Sequence, residues 1–313
     1  MLSNHNVKKM AGVVLAIIAI LGVHYLVMRL YVFIAASFYG AIFRPSVEAF
    51  QSFITSQAVI AVIVAGVVAF VLYFTHFKAR NQSLWTISRF RKFKPIQGLL
   101  AFSAGISAIF LSSIIVQFVA YVFPNAYERF LQMVERLELG GFVPLFIAVV
   151  IVAPFIEEVM FRGLVFRVLE QKYALVTTVL VQGILFGAYH MNIIQGAYAA
   201  VLGVILGLSL IWTGSIWIPI IIHFGNNLMS TLLSLDPVGR FIEANEFIAG
   251  GLIMVMLLIV FPLSLYGLYR SRIEFVTGPN QASSIESVET VSDAKEDAWQ
   301  RLDVIDKLLE RED

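Results

Sequence analysis

The chain has 313 residues, of which 59% are hydrophobic and 14% charged, with a formal net charge of +1. Its mean hydropathy of +0.85 excludes an ordinary soluble domain, which is nearer half apolar and a quarter charged, and no nucleic-acid partner is expected. With no cysteine, the sequence also excludes a disulfide framework, a thiol nucleophile and a thiolate metal ligand.

Apolar runs of roughly 18 residues or more are candidate membrane spans. In chain order they fall at 10–43, 53–77, 96–123, 142–169, 173–191, 196–213, 215–235 and 247–269. The expected fold is therefore all-α, a polytopic membrane protein of about eight transmembrane helices around an intramembrane cavity. Lys8 and Lys9 precede the first run. It lacks a small-residue cleavage site, so it reads as a span rather than a secretory leader. It is over-long and carries Arg29, which fits one tilted helix or a span plus an interfacial piece.

Between the second and third runs, the linker 78–95 holds Lys78, Arg80, Arg89, Arg91, Lys92 and Lys94 and no acid. The positive-inside rule places it in the cytoplasm. Lys8, Lys9, Arg167, Lys172, Arg270 and Arg272 then fall on the same side, and both termini are expected inside, in the plasma membrane of a bacterium. The opposite loops, 124–141 and 236–246, carry six acids against three bases. Segment 125–139 reads as an amphipathic helix on the outer surface.

Past residue 272 a polar linker leads to an acidic stretch in which Ala298, Leu302, Ile305 and Leu309 recur at helical spacing. This tail is a candidate partner-binding element. The organisation expected is N-terminal spans over 1–139, a core over 140–235, a final span over 236–271 and the acidic tail over 272–313.

Eleven of the 21 acids lie after Arg270, so each acid before it is informative. Ionisable groups inside a span each cost roughly 2.5 to 3.5 kcal/mol on insertion scales and mark function or a buried pair. Glu157 and Glu158 are adjacent, and neighbours on a helix point about 100° apart, so they cannot share one role. Glu158 and Arg162 stand at i,i+4, the spacing of a salt bridge. Glu157 faces elsewhere without a local cation. Pro154 removes a helix hydrogen bond just upstream, which opens space beside it.

His190 shares a face with Gly183, Phe186 and Gly187, and it lies 33 residues from Glu157. In an antiparallel hairpin the two fall at matching depth. His223 and Asn227, at i,i+4, aim an imidazole and an amide at one point, the form of an oxyanion hole. His24 and His76 read as incidental. Gly183, Gly187, Gly203 and Gly207 have the small-xxx-small spacing of close helix packing.

"EEVMFR" (Glu157, Glu158, Arg162), "FGAYH" (Phe186, His190) and "HFGNN" (His223, Asn227), in that order on successive apolar helices, resemble the three signature motifs of the type II CAAX prenyl endopeptidases, within the CPBP intramembrane proteases and bacteriocin-processing or self-immunity proteins. The resemblance covers about residues 140–235. It implies an intramembrane endopeptidase acting on membrane-associated or lipidated peptides in contact with membrane lipid. It also implies that Glu157 is a general base on water, His190 binds and orients that water, and His223 with Asn227 stabilises the oxyanion. Glu158, Arg162 and Phe186 would support them.

One Glu and two His, here Glu157, His190 and His223, also make a zinc-type ligand set. The helical HExxH spacing is absent, and Asn227 beside His223 suits oxyanion donation better. No cofactor is therefore favoured, with zinc as the alternative. Two non-proteolytic readings compete. One is a regulatory or self-immunity protein that uses the same cavity for binding. The other is a proton-coupled transporter, which would show inverted repeats; none is evident in the sequence.

Overall fold

With no water in hydrocarbon to satisfy backbone groups, a chain this apolar must close its hydrogen bonds within helices. The computed structural model describes residues 4–273, and among these there is helix and no strand. Lys9's side chain and the acidic tail with its expected helix lie outside the described residues. The helices are α1 (Asn4–Phe43), α2 (Val47–Ala79), α3 (Leu84–Ile87), α4 (Pro95–Val122), α5 (Pro124–Glu138), α6 (Phe142–Glu170), α7 (Leu175–Tyr189), α8 (Ile193–Thr213), α9 (Trp217–Leu233), α10 (Asp236–Ala244) and α11 (Glu246–Arg270).

Each expected apolar run is helical. Six helices are long and apolar enough to cross a membrane, and seven if α9 and α10, bent by 74° at their junction, count as one span. The difference from eight lies partly in α7. Its 15 residues reach about 22 Å at 1.5 Å per residue, short of the roughly 30 Å of hydrocarbon. The first run is one unbroken 40-residue helix.

Local chemistry sets the ends. Ser46 accepts the Ala49 amide at the start of α2, and Asn192 accepts the amides of Ile194 and Gln195 at the start of α8. Gly214, at φ 65°, closes α8 in the left-handed conformation. Between α7 and α8 the chain reverses within residues 190–192, with Met191 held at φ 51°. The small-residue spacing has the expected consequence. A side chain at Gly183 would press on Val204 and Ala200, and one at Gly187 on Gly196 and Ala200, so α7 and α8 touch backbone to backbone.

The basic linker is folded into the bundle rather than hanging from it. Arg89 is 1% exposed, and its Nη2 donates to both oxygens of Glu170 at 2.6 and 2.7 Å. Burial pushes its guanidinium below the ordinary value, and Glu170 works against that. Its carbonyl accepts the Ile216 amide, and that of Arg91 accepts the Ser215 hydroxyl. A side chain at Gly163 would run into Ser88.

Candidate active site

Helix α6 carries both glutamates on a short α-helical stretch, Ala153–Glu158, between two π-helical ones, Phe146–Val152 and Val159–Val165. Such widened turns recur at functional sites. In the first of them the Ala153 amide bonds to Ala148 O, five residues back. The next bond in that register would run from residue 154 to Val149 O, but Pro154 has no N–H to give. Val149 O instead accepts the Asn227 Nδ2 amide at 2.8 Å. The proline thus opens a carbonyl that holds Asn227, a more specific effect than the space expected beside Glu157.

Glu158 and Arg162 form the expected pair at 2.9 Å, both fully buried. The same Glu158 Oε1 also meets His223 Nδ1 at 2.9 Å. Arg162 Nη2 donates to Gly203 O at 3.0 Å, and Gln182 Nε2 donates to the same carbonyl at 2.8 Å. Arg162 therefore ties α6 to α8, and Glu158 orients an imidazole on α9. The i,i+4 rule shows the pair but not its third member, which is 65 residues away.

Glu157 is different. Its Oε2, like that of Glu158, is buried with no hydrogen-bond partner among the described residues, but Glu157 has no counterpart to the two bonds that hold Glu158 Oε1. His223 Nε2 lies 4.0 Å from Glu157 Oε2. That gap is too long for a direct bond, yet one water at about 2.8 Å could reach both atoms. Glu157, His190, His223 and Asn227 all line one cavity of about 530 Å³.

His190 Nδ1 lies 2.8 Å from Phe186 O. A carbonyl only accepts, so Nδ1 carries the proton there and a neutral ring keeps its lone pair at Nε2. Phe186 meets His190 edge-on at 5.1 Å and His223 at 5.6 Å, and Arg162 lies over its ring at 4.4 Å. This phenylalanine sets the spacing of the two imidazoles. Asn226 Nδ2 donates to Asn227 Oδ1 at 3.2 Å, which leaves one Asn227 amide hydrogen beyond the bond to Val149.

Two contributors were not anticipated. His24, on α1, is 5% exposed, and its Nδ1 pairs with the Tyr189 hydroxyl at 2.6 Å, next in sequence to His190. Helix α5 does not rest its apolar face only on the surface, since Tyr127, Phe130 and Leu137 line the cavity. Among the described residues no three His, Asp or Glu side chains gather as a metal-ion ligand set. Glu157, His190 and His223 as placed do not fit a zinc site.

Residues 139–229 match the family described as type II CAAX prenyl endopeptidase Rce1-like. The "Putative membrane peptidase YdiL" of Bacillus subtilis (strain 168) is 30% identical over 117 residues, covering 36% of this chain and 48% of the relative, so the match spans about half of that protein. No solved structure matches the chain significantly. The matched segment supplies all four cavity side chains singled out above, and over that segment the chain is similar to the Rce1-like type II CAAX prenyl endopeptidases.

Proposed function

We propose that the protein is an intramembrane endopeptidase that hydrolyses membrane-associated peptides with a water activated by Glu157. The observation that carries this reading is the unpartnered carboxylate oxygen of Glu157 in a cavity shared with two histidines and an asparagine. A buried carboxylate oxygen without a partner is costly, and one that faces a wet hollow has a use for its lone pairs.

In the proposed reaction Glu157 takes one proton of a water, and the His190 Nε2 lone pair accepts the other hydrogen and fixes the water's orientation. The water oxygen attacks the scissile carbonyl carbon, and the C=O electron pair moves onto oxygen. The free Asn227 amide hydrogen stabilises that charge, and so does His223 Nε2 when it carries a proton. The contact of Glu158 Oε1 with Nδ1 fixes the ring so that Nε2 faces the cavity. Glu157 then returns its proton to the leaving amine as the C–N bond breaks. General base catalysis contributes about 10² to 10⁴ and one oxyanion donor about 10² to 10³.

The linker 78–95 is taken as cytoplasmic, as are both termini, and the acidic tail as a partner-binding element. Wild type and Glu157→Gln are to be expressed in membranes at equal levels and their membrane peptides compared. Products present with wild type and missing with the variant are expected. An identical product set from a folded variant overturns the reading.

A further inference from the structure

The cavity's floor and rim lie at different depths. At the floor are Glu157 and His223, the latter 4% exposed. At the rim Gln117 of α4 and Ser230 of α9 are exposed. Helix α4 starts where the basic linker ends, and α9 starts beside Ile216, whose amide is bonded to Arg89 of that linker. At 1.5 Å per residue Gln117 is about 33 Å, and Ser230 about 20 Å, along its helix from the linker end of the bundle. Helix α5 roofs the same rim with Tyr127 and Phe130.

The linker end is closed. Phe90 packs edge-on against Trp85 at 4.7 Å and Trp217 at 5.2 Å, and it meets Phe155 at 5.9 Å. Phe155 is two residues before Glu157 on α6, about 200° from it around the helix, so these aromatics pack the linker and the start of α9 against the face of α6 turned away from Glu157. The Arg89–Glu170 pair and the Arg91–Ser215 bond fasten the linker over it. The Ile273 amide bonds to Trp212 O at the same end.

The closed end carries the six bases of the linker, and the loops at the rim end carry six acids against three bases. From this asymmetry and the positive-inside rule, we infer that the cavity opens on the non-cytoplasmic face, and that its substrates are peptide segments presented to the membrane from outside rather than cytosolic chain ends. The substrate part of the inference rests on the protease reading, while the sidedness does not. The rim suits such a segment. Gln117 and Ser230 offer hydrogen bonds to an extended backbone, and Tyr127 and Phe130 offer contact to apolar side chains.

The chain has no cysteine, so single-cysteine variants report access directly. Gln117→Cys, Ser230→Cys and Lys92→Cys of the full chain are to be treated with a membrane-impermeant maleimide in sealed right-side-out vesicles, before and after detergent. Labelling of the two rim positions in sealed vesicles, and of Lys92→Cys only after detergent, is expected. Rim positions that label only after detergent, or not at all, overturn the inference. Labelling needs no proteolysis, so its outcome is independent of the comparison of wild type with Glu157→Gln. In that comparison, cut sites lost with the variant are expected in extracytoplasmic segments, and cut sites confined to cytosolic ends overturn the substrate assignment.

Discussion

Glu157 and Glu170 lie on one helix, about 20 Å apart at 1.5 Å per residue, and both carry buried side-chain oxygens. Glu170 is saturated, with both its oxygens bonded to Arg89 and one also to Arg167 at 3.1 Å. Among the described residues Glu157 Oε2 has no hydrogen-bond partner, and its neighbour His223 Nε2 stops at 4.0 Å. Burial alone therefore does not mark a functional acid. A neutralised carboxylate is a brace that fastens a linker to a bundle. One held without a cation, in a hollow with hydrogen-bonding neighbours, is available for chemistry.

The comparison can be broken first at the brace. Glu170→Gln removes the carboxylate charge paired with the buried Arg89 guanidinium, and such losses are about 3–5 kcal/mol. A large fall in thermal midpoint in detergent is expected, and an unchanged midpoint would show that the pair does not fasten the linker. At the site, Asn227→Ala should lower peptide hydrolysis by about 10² to 10³, as for one oxyanion donor, with the midpoint moved much less. A variant with full activity would remove Asn227 from the mechanism.

Smaller effects sharpen the contrast. Gly187→Ala forces a methyl against Gly196 and Ala200, with the Ala200 Cβ 2.8 Å from its ideal position. Overpacking of this kind costs about 1–3 kcal/mol, and because His190 is three residues on, activity should fall with stability. Pro154→Ala restores an N–H that competes with Asn227 for Val149 O. The loss of one ordinary hydrogen bond, about 1 kcal/mol, corresponds to a several-fold slower reaction without destabilisation. Chelation with EDTA is expected to leave hydrolysis unchanged. Loss on chelation with recovery on added zinc would contradict direct glutamate catalysis.

Much of the frame was legible in the sequence, because hydrocarbon allows few solutions. The apolar runs all became helices, and the separation of Glu157 from Glu158 followed from about 100° per residue. What stayed hidden depended on contacts between distant segments. His24 read as incidental because depth matching was applied within the α6–α7 hairpin, whereas His24 meets its partner Tyr189 from α1. The amphipathic pattern of α5 does not say whether the apolar face meets lipid or a cavity wall. Glu158 was assigned one partner because periodicity sees only its own helix. The open Val149 carbonyl needed the π-helical register, which no apolar spacing encodes.

The most direct test is product formation by Glu157→Gln in membranes where its amount and thermal midpoint match wild type. The account predicts a loss of about 10² to 10⁴ in a protein as stable as the parent, since Glu157 Oε2 makes no hydrogen bond among the described residues. Undiminished cleavage by that folded variant would contradict it.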